Sequence, residues 1–179
     1  MVEGFTGLPG SGKTYYAVKR ALEADKKGIP VWANFKIDLS DSGKNFYRFK
    51  DLKEVFHVRK GLIIIDEINL VCPSRFWNKF PPELAYFWSQ TRKFELDIIW
   101  TSQHIDRVDK IIKEIANYCW VFKSLPLGVH IGNKFLPEHV NKEKRECYER
   151  AFFRIDKNIA KCYNTYEAIE LTDNLKTKV

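Results

Sequence analysis

Apolar and polar positions fall in blocks along this chain, and the blocks change period repeatedly. Residues 2–6 suit a short strand. A glycine-rich segment follows, and then residues 14–27 carry Ala17, Ala21, Leu22 and Ala24 at helical spacing until Gly28 ends them. Residues 29–33 read as a second strand before a polar turn region holding Asp38, Ser40, Asp41, Ser42 and Gly43. Residues 61–67 form a continuous apolar run closed by Asp66 and Glu67, the pattern of a central parallel strand covered on both faces. Pro81 and Pro82 are suited to open a helix continuing over residues 83–94, and residues 97–101 read as another buried strand. Asp106 is placed to cap a helix whose apolar face is Val108, Ile111, Ile112 and Ile115, and residues 118–122 return as a strand.

Beyond that point Pro126, Gly128, Gly132 and Pro137 break the pattern. Residues 152–155 and 159–163 flank the turn-like Asp156-Lys157-Asn158, which predicts a closing hairpin. Five strands alternating with helices predict an α/β fold, a mostly parallel central sheet flanked by helices with an additional C-terminal hairpin. At 179 residues the expectation is one domain over residues 1–179, of which 124–179 form a less regular portion.

Composition narrows the class without changing the fold. Apolar runs such as residues 62–65 are far shorter than the roughly 20 residues that cross a bilayer, so no membrane span is expected. No apolar stretch follows basic residues at the N-terminus, which predicts a chain without a cleaved leader that stays in the cytosol. Cys72, Cys119, Cys147 and Cys162 form no C-x-x-C pair and read as packing residues. Tyr86, Phe87, Trp88, Trp100 and Trp120 fall inside regular elements and read as core. A formal charge of +7 favours acidic partners, though it also serves solubility.

The chemistry concentrates in residues 7–14. Gly7, Leu8, Pro9, Gly10, Ser11, Gly12, Lys13 and Thr14 fit the Walker A pattern of glycine, four residues, glycine, lysine and a hydroxyl, set between a strand and a helix. Glycines let the backbone wrap phosphate oxygens, and the helix N-terminus presents positive partial charge to them. In a P-loop NTPase of this kind Lys13 reaches the β and γ phosphates of ATP and Thr14 ligates Mg²⁺. Asp66 is the expected Walker B carboxylate on Mg²⁺, and Glu67 is positioned to polarise the attacking water. Gln103 ends the Thr101-Ser102-Gln103 strand terminus, where parallel sheets place ligands, and is a candidate contact to the γ phosphate. Arg92, shortly before that strand, is the first candidate for an arginine acting from a neighbouring subunit. Lys44, Arg48, Lys50, Lys53, Arg59 and Lys60 mix with Phe46, Tyr47 and Phe49, a composition that either binds nucleic acid or forms the polar face of an ordinary element.

These pieces together resemble the N-terminal ATPase domain of the zonular occludens toxin family, which includes filamentous-phage assembly proteins. The likeness runs through residues 7–14, 28–34, 62–67, Gln90-Thr91-Arg92-Lys93, Thr101-Ser102-Gln103 and Tyr163-Asn164-Thr165-Tyr166-Glu167. The resemblance implies that the Gln103 strand lies between the Walker A and Walker B strands. It also implies an oligomeric ATP-driven motor for phage or virus assembly, moving DNA at the cytoplasmic face of the host inner membrane. Family members usually carry a membrane segment after this domain, so a membrane-anchored partner polypeptide or a longer parent chain is implied. Genome-packaging ATPases of the FtsK and HerA type, a small nucleotide kinase and a nucleotide-dependent switch share the Walker residues and stay open as alternatives.

Overall fold

The computed structural model describes residues 1–39, 45–72, 82–142 and 146–164. The strands are β1 (Val2–Thr6), β2 (Val31–Ala33), β3 (Phe46–Arg48), β4 (Gly61–Ile65), β5 (Leu96–Ser102), β6 (Tyr118–Ser124), β7 (Val129–Phe135) and β8 (Glu149–Arg154). The helices are α1 (Lys13–Lys26), α2 (Ile68–Val71), α3 (Pro82–Ser89), α4 (Lys110–Ile115) and α5 (Lys157–Ala160). The strands form one sheet in the order β3-β2-β4-β5-β1-β6-β7-β8. Pairing is parallel from β3 through β6 and antiparallel at β6–β7 and β7–β8. β5 therefore separates β4 from β1, which is the order implied by the family resemblance.

Strand alternation divides the apolar runs between two covers. Leu62, Ile64, Ile99, Phe5, Trp120 and Phe122 pack with Ala17, Val18 and Ala21 of α1. On the other face Ile63, Ile65, Ile98 and Trp100 meet Leu84, Phe87 and Trp88 of α3 and Ile112 of α4. A strand covered on both faces gains nothing from polar alternation, which is why β4 is apolar at every position. Trp88, Trp100 and Trp120 are fully buried, whereas Tyr86 projects from α3 and is 65% exposed, contrary to its reading as core. Cys72 and Cys119 lie in the core, where burial pushes both thiols up to about 12.

Several boundaries differ from expectation for local reasons. α3 ends at Ser89, and the chain turns through residues 90–95, with Glu95 at φ 50 feeding β5. Asp109, not Asp106, caps α4 by accepting from the Ile111 amide at 2.8 Å; Asp106 instead accepts from Asn141 Nδ2 at 2.8 Å. The closing hairpin exists, but it is built from β7 and β8. Asp156 caps α5, so residues 159–163 are not its second strand. Gly132, which reads as a breaker, lies inside β7, where a Cβ would come within 2.7 Å of the Phe122 ring. β3 adds an edge strand in a segment that composition marked only as basic and aromatic. Pro81 lies outside the described residues.

A buried acid ties this hairpin to the centre of the sheet. Glu3 on β1 is 1% exposed; its carboxylate meets Arg20 of α1 at 3.3 Å, Trp120 Nε1 at 3.0 Å and Lys134 of β7 at 3.4 Å. Lys134 also pairs with Glu149 of β8 at 3.2 Å and lies 4.4 Å over the Tyr118 ring. Removing the one buried charge leaves two largely enclosed cations without it. Glu3→Gln is expected to cost about 2–4 kcal/mol, a drop in thermal midpoint of roughly 5–12 °C by differential scanning calorimetry; an unchanged midpoint would show the network to be neutral.

Candidate nucleotide site

The site lies at the carboxyl ends of β1, β5 and β4, three adjacent strands in the middle of the sheet. From β1 the chain loops through residues 7–12 into α1, with Gly12 in the left-handed region (φ 93) at the helix N-cap. No acidic side chain sits in the first turn of α1, so its free amides are available to an anion. Lys13 Nζ donates to the carbonyls of Gly7 at 2.7 Å and Leu8 at 3.2 Å, folded back along the loop it serves. Burial pulls its pKa down, while Glu67 and Asp66 act in the opposite sense. The Ser11 hydroxyl is buried in the same loop without a hydrogen-bond partner among the described residues.

Facing the loop, Asp66 follows the last residue of β4. Its Oδ1 accepts from Thr101 Oγ1 at 2.6 Å and from Thr14 Oγ1 at 3.1 Å. Asn34, just past β2, clamps the Asp66 backbone on both sides: Nδ2 donates to its carbonyl at 3.0 Å, and Oδ1 accepts its amide at 2.8 Å. Enclosure by protein raises the Asp66 pKa, and the Thr101 hydrogen bond opposes that rise. A carboxylate and a hydroxyl converging in this way form a hard oxygen donor pair, which fits Mg²⁺.

Glu67 adopts φ 48 and ψ 55, a conformation costing a β-carbon-bearing residue about 1–2 kcal/mol. Its amide donates to Thr101 Oγ1 at 3.0 Å, and its carboxylate accepts from Gln103 Nε2 at 3.4 Å. Thr101 thus holds both acids from β5. Lys13, Thr14, Asp66, Glu67 and Gln103 come together here. Arg92 does not, for it lies before β5, in a cleft of about 660 Å³ shared with Met1 and Tyr118 at the starts of β1 and β6. That end of the sheet is opposite the one that carries the phosphate loop.

The basic segment does not gather into one surface. Lys44 lies outside the described residues. Arg48 ends β3 and Lys50 follows it, whereas Arg59 and Lys60 precede β4, at the opposite end of these parallel strands. Arg59 stands 4.2 Å over the Phe94 ring and donates to the carbonyls of Phe56 and Val58, and Lys60 pairs with Glu95 at 3.8 Å. Lys53 lies on the exposed side of a short 3-10 turn, Leu52–Val55.

A second set of residues braces the loop from the C-terminal hairpin. Ser124 at the end of β6 donates to the Gly10 carbonyl at 2.9 Å. His130 Nδ1 on β7 lies 3.2 Å from the Ser11 carbonyl and 3.3 Å from Ser124 Oγ. A carbonyl only accepts, so Nδ1 carries the proton. Phe153 on β8 stacks on both His130 (5.3 Å) and Tyr15 of α1 (5.5 Å), and a Cβ on Gly12 would stand 2.9 Å from it. No sequence pattern marks these residues, because their role depends on a long-range pairing. Asn34 carries a fainter signal, standing at the end of the 28–34 stretch through which the family likeness runs.

Comparison with known proteins places this geometry. Residues 36–168 match the sequence model of the family described as Zonular occludens toxin (Zot). The chain belongs to the Zot family. The match begins after the phosphate loop, so the Walker A residues support the reading independently of it. The N-terminal domain of zonular occludens toxin from Neisseria meningitidis has a similar fold, at 20% identity and TM-score 0.61, covering 91% of this chain and 98% of that one. The genome packaging NTPase B204 from Sulfolobus turreted icosahedral virus 2, solved with ATP-gammaS, is similar at 14% identity and TM-score 0.56, covering 83% and 96%. The flagellar accessory protein FlaH from Methanocaldococcus jannaschii is similar at 14% identity and TM-score 0.62, covering 87% and 85%. No curated protein sequence matches this Zot-family chain significantly. Among its described residues no helix is long and apolar enough to cross a membrane.

Proposed function

We propose that this Zot-family chain hydrolyses ATP and works as an oligomeric motor that couples hydrolysis to the movement of DNA during phage or virus assembly. The observation carrying the reading is the convergence of Lys13, Thr14, Asp66, Glu67 and Gln103 at the ends of three neighbouring strands. In the proposed mechanism the loop amides and the α1 N-terminus receive the β and γ phosphates, and Lys13 exchanges its own loop carbonyls for phosphate oxygens. Thr14 and Asp66 would hold Mg²⁺, which when bound offsets charge on the β and γ phosphates. Glu67 orients a water for attack on the γ phosphorus and takes its proton as the bond to the β–γ bridging oxygen breaks, releasing ADP and phosphate. Gln103, in contact with Glu67, is placed to sense whether the γ phosphate is present. Arg92 is proposed to serve the site of a neighbouring copy.

The likeness to a genome packaging NTPase favours DNA as the substrate of the motor over a nucleotide acceptor. The deciding experiment measures phosphate release with and without single-stranded and double-stranded DNA, alongside the mass of the assembly. Stimulation by DNA with no acceptor nucleotide present is the expected result. Phosphate transfer that requires an acceptor would make the chain a kinase, and turnover indifferent to DNA in a monomer would make it a switch. Action at the cytoplasmic face of a membrane, through an anchored partner, belongs to the same proposal.

A further inference from the structure

The hairpin that braces the phosphate loop has a second face. On β8, Ala151 and Phe153 turn toward α1 and its core, so alternation sends Arg150, Phe152 and Arg154 the other way. Phe152 is 64% exposed, unusual for a phenylalanine on a strand, and both arginines are exposed. Pairing sets Phe152 beside Ile131 of β7, and Ile131 beside Lys123 of β6, in one row across three strands. Arg154 and Arg150 stand two residues to either side of Phe152, opposite Val129 and Asn133. The three cations form no ion pair among the described residues, and the outward face of these strands carries no acid. Glu149, the one acid of β8, points to the opposite face and is paired with Lys134.

A largely exposed aromatic ring flanked by cations that form no ion pair among the described residues has a specific chemical complement, an anionic chain with free π faces. We propose that the outward face of β6, β7 and β8 binds single-stranded nucleic acid, with Phe152 stacking on a base and Lys123, Arg150 and Arg154 holding phosphates. Duplex DNA has the phosphates but keeps its bases stacked inside, so it cannot use the ring. The two arginines span roughly 13 Å of strand at about 3.3 Å per residue, a track of a few nucleotides. Lys123 also lines the cleft of about 500 Å³ beside Leu8, Pro9 and Gln103, and its neighbour Ser124 holds the Gly10 carbonyl. A strand bound here therefore lies against the elements that support the phosphate loop. This inference locates the DNA contact of the motor and rests on that reading.

The test is fluorescence anisotropy of a labelled 20-nucleotide oligo-dT against the full chain, without ATP, over a range of salt. Wild type is expected to bind with affinity that falls as salt rises. Phe152→Ala should weaken binding about 5- to 150-fold, and Phe152→Trp should restore it. Arg150→Ala with Arg154→Ala should make the slope of log affinity against log salt shallower by about 1.4. All variants should keep the DNA-free phosphate release of the wild type, which controls for folding. Variants binding like wild type would overturn the proposal, as would a duplex of equal length binding as tightly and ignoring Phe152. Binding only to vesicles containing phosphatidylserine would also overturn it and make the face a membrane surface. Oligo-dT bound through Phe152 by a chain that hydrolyses no ATP would leave this surface standing and remove the motor.

Discussion

Glu67→Gln is expected to lower ATP turnover by roughly 10²- to 10⁴-fold at saturating ATP while leaving ATP affinity nearly unchanged. The substitution preserves shape and removes only basicity. Its amide still donates to Thr101, and the Thr101–Asp66–Thr14 hydroxyl chain, which does not pass through the Glu67 carboxylate, stays intact. The strained backbone at Glu67 turns its carboxylate to Gln103 at 3.4 Å, whereas Asp66 stays on Thr14 and Thr101. Two adjacent acids thereby face separate partners. Lys13→Ala, in contrast, should abolish measurable binding, since no other ammonium stands in the loop. The two measurements are phosphate release and titration with a fluorescent ATP analogue. Wild-type turnover in the Glu67 variant would remove that residue from the chemistry, and loss of binding would show that it acts in the ground state.

What was legible in the sequence follows the range of the interactions. The phosphate loop is a local device, and its pattern lies within eight consecutive residues. The apolar run ending at Asp66 was legible because a doubly covered strand has a signature of its own, and its place beside β5 came from the family likeness. The roles of Asn34, Thr101, Ser124 and His130 were not legible, for each is created by pairing between strands far apart in the chain. The same limit explains the misplaced hairpin. Gly132 and the prolines around β7 resemble breakers until Phe122 is seen to occupy the space above Gly132. In the basic segment Arg48 and Lys50 lie close in sequence to Arg59 and Lys60, but the parallel strands deliver the two pairs to opposite ends of the sheet, while Lys123, Arg150 and Arg154 reach one face only through cross-strand register.

Glycines of the loop, equivalent in the sequence pattern, should separate sharply on substitution. Gly7→Ala is expected to weaken ATP binding at least about 100-fold, roughly 3 kcal/mol, and Gly10→Ala about 5- to 30-fold. At Gly7 the backbone has φ 146, and a Cβ would stand 2.4 Å from the carbonyl oxygen of Phe122 and 2.8 Å from Ser11 Oγ. That carbonyl belongs to β6, paired to β1 along Glu3, Gly4, Phe5 and Thr6, so relief requires prying apart the two strands that carry the loop. Gly10 has φ 74 but nothing within 4 Å of a built Cβ, so only the left-handed penalty of about 1–2 kcal/mol applies. Titration with the fluorescent analogue, with circular dichroism melts to confirm folding, reads both variants. Equal losses at the two positions would mean that the loop senses backbone conformation alone, and wild-type affinity in Gly7→Ala would mean that β6 yields where the sheet says it cannot.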